Sequence, residues 1–489
     1  MKKSIKANYI YNISYQIFAL IVPLITTPYI SRVIGVEGIG INSYTYAMLR
    51  YFWLLSALGC ATYGLRIIGI SQEDRQERSL KFWSLFLLKI VLSSVAILLY
   101  VIYVLLYSKY KTIAFIQGIY LIAVMLDISW FYQGMEDFKK ISIKNFIFKI
   151  LNVIYIFMFV KSKDDLKIYI FGLAFFQLLS NLSLWMPLKK YVDKVKIKKL
   201  EVFKYLKPCL ELFLPSVAAQ IFAILDKSMI GWITNDSKEN GYYEQALKII
   251  DMSLTVITTL GTVKVPSIAR DYKLRKNEKI KQSLNDSVRF TIFVGLPMMF
   301  GIWGISGKFV PIFFGEEYIK STGVLNILSL LFIFMGVNSI TGTQYLISSN
   351  QQNIHTKCLL VGGCFNFLFN WVLISRIGSY GAAIASVIGE IVICILESAY
   401  LYRTKQYNIF PVLLKTYKYI IASVLMFIYL LCIQRYIYNL IGILLAIVVA
   451  IIVYFVILMT LKDSFLCLEI RKYFDKRKNN RGKYENKNI

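Results

Sequence analysis

Six ionisable residues, Asp226, Lys227, Glu244, Lys248, Asp251 and Lys264, interrupt two otherwise apolar segments between Pro215 and Pro266. In apolar surroundings a carboxylate can take up a proton or hold sodium, and an ammonium group can hold an anion, because neither is satisfied by water. Glu244, Lys248 and Asp251 are spaced i, i+4 and i+7, on one stripe of a helix. With a turn from about Thr234 to Asn240, Asp226 and Lys248 lie at a similar depth of about 10 Å and can pair. Such charges read in two ways, as a brace between helices or as groups on a transport route. Arg50 lies about ten residues into another apolar segment, too deep to snorkel easily. Its partner is either Asp127 or the head group of a ligand. Glu390 and Glu397, seven apart on one helix face, can equally brace a helix pair or carry an ion.

The elements that must position these residues are membrane helices. A chain of 489 residues, 57% hydrophobic with mean hydropathy +0.58, is too apolar for a soluble protein of that length. Apolar windows predict about fourteen spans, starting near residues 8, 40, 82, 113, 146, 168, 209, 241, 288, 323, 358, 381, 418 and 439. The fold class is therefore all-α and polytopic. In a soluble protein the net charge of +28 would point to nucleic acid, but here the basic residues sort to one side of the spans. With the N-terminus inside, Arg66, Arg75, Arg78, Lys139, Lys140, the run from Arg270 to Lys281 and the tail from Arg471 to Lys487 are all cytoplasmic, which is the positive-inside pattern. Both termini then face the cytoplasm.

The basic connection from Lys189 to Lys207 divides six spans from the next six. QIFAL at Gln16 to Leu20 echoes QIFAI at Gln220 to Ile224. Proline interrupts the first helix of each half, at Pro23 and Pro28 and at Pro215, where hinges around a central site are expected. The predicted organisation is a six-helix lobe with its linker over 1–207, a second lobe over 208–402, and two further helices with a basic tail over 403–489.

Other chemistries find little support. Seven cysteines without a C-x-x-C pair, and a single histidine, His355, speak against a metal site or disulfide framework. The outward turns are too short to hold the catalytic loop of a membrane enzyme, so a transporter rather than an enzyme is expected. Most of the 35 tyrosines fit an interfacial belt, although Tyr44, Tyr46, Tyr242 and Tyr243 can also stack on sugars.

The motif order carries a resemblance. NYIYNISYQIFALIVPLITTPYISRVIGVEGIGINSYTYA from Asn8 to Ala47, ALG at Ala57 to Gly59 and YGLR at Tyr63 to Arg66 are followed by DKSMIG from Asp226, GYYEQALKI from Gly241 and LGTVKVPSIAR from Leu260. Together these resemble bacterial Wzx-type polysaccharide repeat-unit flippases over nearly the whole chain. The chain departs at Lys264, where similar sequences tend to be apolar. The resemblance implies a multidrug/oligosaccharidyl-lipid/polysaccharide exporter fold with two six-helix lobes around a central cavity. It also implies a substrate, an undecaprenyl-pyrophosphate-linked oligosaccharide carried from the inner to the outer leaflet of the bacterial cytoplasmic membrane for capsule or related polysaccharide synthesis, with a polysaccharide polymerase among the partners. On that reading Arg32, Arg50, Lys227 and Lys248 bind the anionic head group. Asp226, Glu244 and Asp251 serve a coupling proton or sodium ion, or gate the route. The alternatives are a cation-coupled drug or metabolite antiporter of the same fold, and a membrane polymerase or ligase.

Overall fold

A computed structural model describes the backbone of residues 5–463 and 465, with side chains from residue 14 onward except 197, 214–219, 222–223 and 260–263. All the regular elements among the described residues are helices: α1 Ile5–Ala57, α2 Cys60–Ile70, α3 Arg75–Tyr107, α4 Lys111–Gln117, α5 Ile119–Met125, α6 Ser129–Gly134, α7 Phe138–Phe159, α8 Leu166–Ser183 and α9 Leu206–Thr234. It continues through α10 Ser237–Lys273, α11 Asn277–Phe313, α12 Ser321–Leu328, α13 Leu331–Asn338, a π-helical segment Ser339–Ile347, α14 Gln352–Ile377, α15 Ser379–Arg403, α16 Phe410–Leu414, α17 Tyr417–Ile433 and α18 Leu440–Thr460.

Twelve stretches among the described residues are helical, long and apolar enough to cross a membrane. One of them, Ser14–Ile70, holds two of the expected spans, because α1 leaves helical geometry at Gly35 (φ 74°, ψ 172°). That backbone conformation is open to glycine at little steric cost. Helix α9, with 29 residues, is about 43 Å long at 1.5 Å per residue and supplies a further span. Each of the fourteen hydropathy windows thus corresponds to a helix. Pro23 and Pro28 both lie inside α1, whereas the side chain of Pro215 is outside the described residues. Many apolar side chains face outward, as lipid requires: on α18, Leu444, Leu445, Val448 and Ile452 are exposed, while Ile443, Ala446, Ala450 and Tyr454 are buried.

The fourth span is broken, and its repair accounts for several buried charges. Lipid cannot hydrogen-bond a freed carbonyl, so protein must. Between α4 and α6 the carbonyl of Asp127 accepts from Lys89 Nζ (2.5 Å), that of Leu126 from Trp185 Nε1 (2.8 Å) and that of Ala123 from Asn181 Nδ2 (2.8 Å). Lys144 Nζ reaches Ser129 Oγ (3.2 Å) and Asn181 Oδ1 (3.0 Å), and the Asp127 carboxylate accepts from the Ser129 backbone N–H (2.9 Å). Of the two partners expected for Arg50, Asp127 is therefore occupied within this break.

The chain forms two compact units. The first comprises Met1–Glu244 and Phe367–Ala382, the second Gln245–Asn366 and Ala383–Ile489. In the first, an aromatic core of Phe82, Trp130, Phe131 and Trp185 joins α3, α6 and the end of the sixth span. In the second, α17 and α18 pack on α11, with Phe293 against Tyr419 and Tyr454.

Orientation is tested by placing cysteines in a cysteine-free background. Lys238→Cys and Ser162→Cys, both at exposed positions, are expected to react with an impermeant thiol reagent in intact cells. Asn277→Cys, exposed at the start of α11 just after the basic turn, is expected to react only after lysis. The reverse pattern overturns the orientation.

Candidate functional site

The site in the first unit begins with a close helix crossing. A Cβ on Gly40 of α1 would stand 1.7 Å from the Ser237 carbonyl oxygen, and one on Gly241 of α10 would stand 2.2 Å from that of Val36. Backbones meet here because both positions lack a side chain, as in small-residue crossings of membrane helices. One turn further along each helix, the Ser43 hydroxyl donates to Glu244 Oε2 (2.7 Å). The α9–α10 turn brings in the next partner. It is shorter than expected, only Asn235 and Asp236, because Asn235 takes the left-handed conformation (φ 54°) that asparagine tolerates better than most residues. Across this turn Lys227 Nζ lies 2.6 Å from Glu244 Oε2, with the two side chains 23% and 22% exposed.

Arg50 extends this cluster. Ser43, Tyr46 and Arg50 follow one another at i, i+3 and i+7 along α1, on one face. The Tyr46 phenol is within electrostatic reach of Arg50, Lys227 and Glu244. Arg50 Nε is buried and has no hydrogen-bond partner among the described residues, and its guanidinium carbon is 5.8 Å from the Trp53 ring centre. Tyr120 completes the aromatic wall, 5.3 Å from Tyr46 and 6.4 Å from Trp53 between ring centroids. Arg50 is thus a second cation beside the Lys227–Glu244 pair. A buried N–H donor without an acceptor costs about 1–3 kcal/mol, and an anion supplied from outside would remove that cost.

Asp226 has a different environment. It is 5% exposed and accepts from Tyr243 Oη and Asn370 Nδ2, both at 2.6 Å. In the hairpin Lys227 thus pairs with Glu244, while Tyr243 and Asn370 give Asp226 hydrogen bonds from neutral groups. Lys248, half-buried, and Asp251, exposed, belong to the second unit. Arg32 lies on an exposed face of α1, three residues before the break at Gly35. Asn370 had no signal in the sequence, being 144 residues from Asp226. Ser43 and Tyr46 had one: their helical register with Arg50.

Glu239, at the start of α10, accepts from the Ser379 backbone N–H (2.7 Å) and hydroxyl (2.8 Å). It thereby caps α15, where a carboxylate suits the positive end of the helix.

In the second unit the remaining buried acids are braced. Glu390 Oε2 accepts from Asn338 Nδ2 (2.6 Å). Glu397 lies 2.5 Å from His355 Nδ1 and accepts from the Thr341 hydroxyl. Lys264 donates to Ser287 Oγ (3.0 Å) and the Ser283 carbonyl (3.2 Å), and Ser287 donates to Gln344. An apolar cavity of about 480 Å³, lined among others by Phe293, Met298, Met426, Leu430 and Tyr454, opens in this unit.

The crossing at Gly40 gives a direct test of the scaffold. Gly40→Val is expected to lower the melting temperature in detergent markedly, because its Cβ meets backbone rather than a movable side chain; overpacking of this kind costs about 1–3 kcal/mol and sometimes more. An unchanged melting temperature would refute the crossing.

A profile of the family described as polysaccharide biosynthesis protein matches residues 5–271, more than half of the chain. The chain belongs to this family. The matched part contains Ser43, Tyr46, Arg50, Asp226, Lys227 and Glu244, leaving only Asn370 of the cluster outside. A putative O-antigen transporter of Shigella dysenteriae is 21% identical over 397 residues, covering 80% of this chain and 98% of that protein. Among solved structures, the lipid II flippase MurJ in an inward closed conformation superposes with a TM-score of 0.73 at 17% identity, over 92% of this chain and 98% of that one. An inward-facing multidrug resistance MATE family transporter of the MOP superfamily gives 0.59 at 15% identity, over 79% and 98%. The fold is that of these exporters, and the resemblance to Wzx-type flippases is upheld.

Proposed function

We propose that this protein is a flippase, moving an undecaprenyl-pyrophosphate-linked oligosaccharide repeat unit from the inner to the outer leaflet of the cytoplasmic membrane by alternating access. The product would feed capsular or other surface polysaccharide synthesis, with a polymerase acting on the flipped unit. The observation that carries this reading is Arg50, a half-buried guanidinium with an unpartnered Nε beside the Lys227–Glu244 pair. A pyrophosphate supplies the acceptors that this donor lacks, and Arg binds phosphate oxygens well because its N–H groups form a planar fork. Lys227 joins it, and Arg32 and Lys248 are proposed to meet the head group at other stages of transport. The apolar cavity of the second unit suits a polyprenyl chain, which has no polar group to satisfy.

Asp226, Glu244 and Asp251 are proposed to respond to a coupling proton or sodium ion. A coupling ion moves a two-state equilibrium only through its different affinity for the two states, and Asp226, held by two neutral donors, is suited to such a change. The two-lobe division at about residue 207, hinges at Pro23, Pro28 and Pro215, and cytoplasmic termini belong to the same reading.

The likeness to the MATE transporter fold favours one alternative, a cation-coupled drug or metabolite antiporter. Depleting the protein and locating the lipid-linked repeat unit separates the two. A flippase leaves the glycolipid on the cytoplasmic leaflet, whereas an antiporter changes tolerance to its substrate and leaves glycolipid distribution as it was.

A further inference from the structure

The second unit has another cavity, of about 470 Å³, at the end of the molecule where α17 begins and α18 finishes. One apolar span starting and the next ending at the same level mark a membrane interface. The cavity is lined by Arg289, Lys415 and Lys418 with Tyr417, Tyr419 and Leu414, and Asp463 is its one acidic residue among the described residues. The cations have different duties. Lys418 Nζ donates to the carbonyls of Leu461 (2.8 Å) and Lys462 (3.2 Å), closing the end of α18. Arg289 and Lys415 have no side-chain hydrogen bond or ion pair with a described residue. Arg289 instead sits close to the phenols of Tyr407 and Tyr419, and Tyr419 in turn points its hydroxyl at Asp463 (3.4 Å).

Beside this cavity, α16 presents a short apolar face. Phe410 and Leu414, at i and i+4, are 59% and 79% exposed, while Val412 between them is buried. A helix with that division lies in an interface with its apolar side in acyl chains. Cations over a cavity, phenols between them and an apolar face alongside form a receptor for a molecule with a negative head and a greasy body.

We infer that Arg289 and Lys415 bind the phosphodiester head group of an anionic membrane phospholipid in this cavity, with Phe410 and Leu414 against its acyl chains. The charge balance of the described lining, three cations to one carboxylate, selects an anionic over a zwitterionic lipid. This site is separate from the Arg50 cluster and does not rest on the transported substrate being a glycolipid.

The test is native mass spectrometry of the full chain released from nanodiscs of equal phosphatidylglycerol and phosphatidylcholine. The wild type is expected to retain phosphatidylglycerol about twenty-five-fold over phosphatidylcholine, the product of two cations contributing about five-fold each. Arg289→Gln with Lys415→Gln should abolish that preference, and Arg289→Lys with Lys415→Arg should keep most of it. Lys415→Gln alone, at an exposed position, should lose about five-fold and decides the matter if the double variant does not fold. Equal retention of both lipids by the wild type, or an unchanged preference in Lys415→Gln, would overturn the proposal. Displacement of phosphatidylglycerol by millimolar inorganic phosphate would assign the cavity to a soluble phosphate and remove the lipid.

Discussion

Arg50→Ala is expected to abolish surface polysaccharide while the protein stays in the membrane at its normal abundance. Losing one charge-assisted contact to a desolvated anion typically costs about 2–5 kcal/mol, or roughly thirty- to several-thousand-fold in head-group capture. The effect on the fold should be small or even favourable. The substitution gives up a stacking contact with Trp53, of a kind contributing about 0.5–1 kcal/mol at exposed sites and more when desolvated, together with the neighbouring Tyr46. It also removes a buried Nε that has no acceptor among the described residues. Function and stability should therefore part company: polysaccharide lost, melting temperature in detergent unchanged or slightly raised. Wild-type polysaccharide in the Arg50→Ala strain would refute the head-group role, and loss of the protein from membranes would make Arg50 a structural residue instead.

Neutralising the carboxylates is expected to have the second largest effect, on the energy coupling of transport. Asp226→Asn and Glu244→Gln should flatten the dependence of glycolipid flipping on imposed proton or sodium gradients while leaving head-group binding largely intact. The geometry makes the two variants unequal controls. Asn at 226 keeps an oxygen for Tyr243 Oη, and the Asn370 amide can turn to present its own oxygen. Gln at 244 keeps an acceptor for Ser43 but removes the charge that pairs with Lys227, and breaking a buried pair on one side is destabilising by about 3–5 kcal/mol in the extreme, less here because both side chains are about one-fifth exposed. The exchange Lys227→Glu with Glu244→Lys separates brace from coupling. If the pair only braces the helices, the exchange restores stability and gradient dependence together. Flipping in proteoliposomes, read with and without each gradient and beside thermal stability, decides it. Undiminished gradient dependence in both Asp226→Asn and Glu244→Gln would take ion coupling away from this hairpin.

Much of this architecture can be read from residue order alone. Lipid offers no hydrogen bonds, so a spanning segment must be helical and apolar over some twenty residues. That constraint is local, and a local pattern suffices to find the fourteen spans and to see that Arg50, Asp226, Lys227 and Glu244 lie within them. Helical register is local too, so the shared face of Ser43, Tyr46 and Arg50 is implicit in their spacing, although only the charge of Arg50 singled that face out. The resemblance to an exporter family rested on the same segments, those from Asn8 to Ala47 and from Asp226 to Arg270.

Which charge meets which was decided by tertiary structure. Similar depth suggested Asp226 with Lys248, but depth leaves the rotation of each helix about its axis open, and the Gly40–Gly241 crossing sets the facing of α1 and α10 in the first unit. That crossing brings Ser43 to Glu244, and the two-residue turn at Asn235 brings Lys227 to it as well. Asn370 reaches Asp226 from 144 residues away, and Lys89 reaches the Asp127 carbonyl across a break in the fourth span. Neither contact has a local pattern to announce it. The sequence by itself determined the spans and the charges within them, because the bilayer acts on each segment separately; the pairing of those charges, and the donor left over at Arg50, came from close packing between segments distant in the chain.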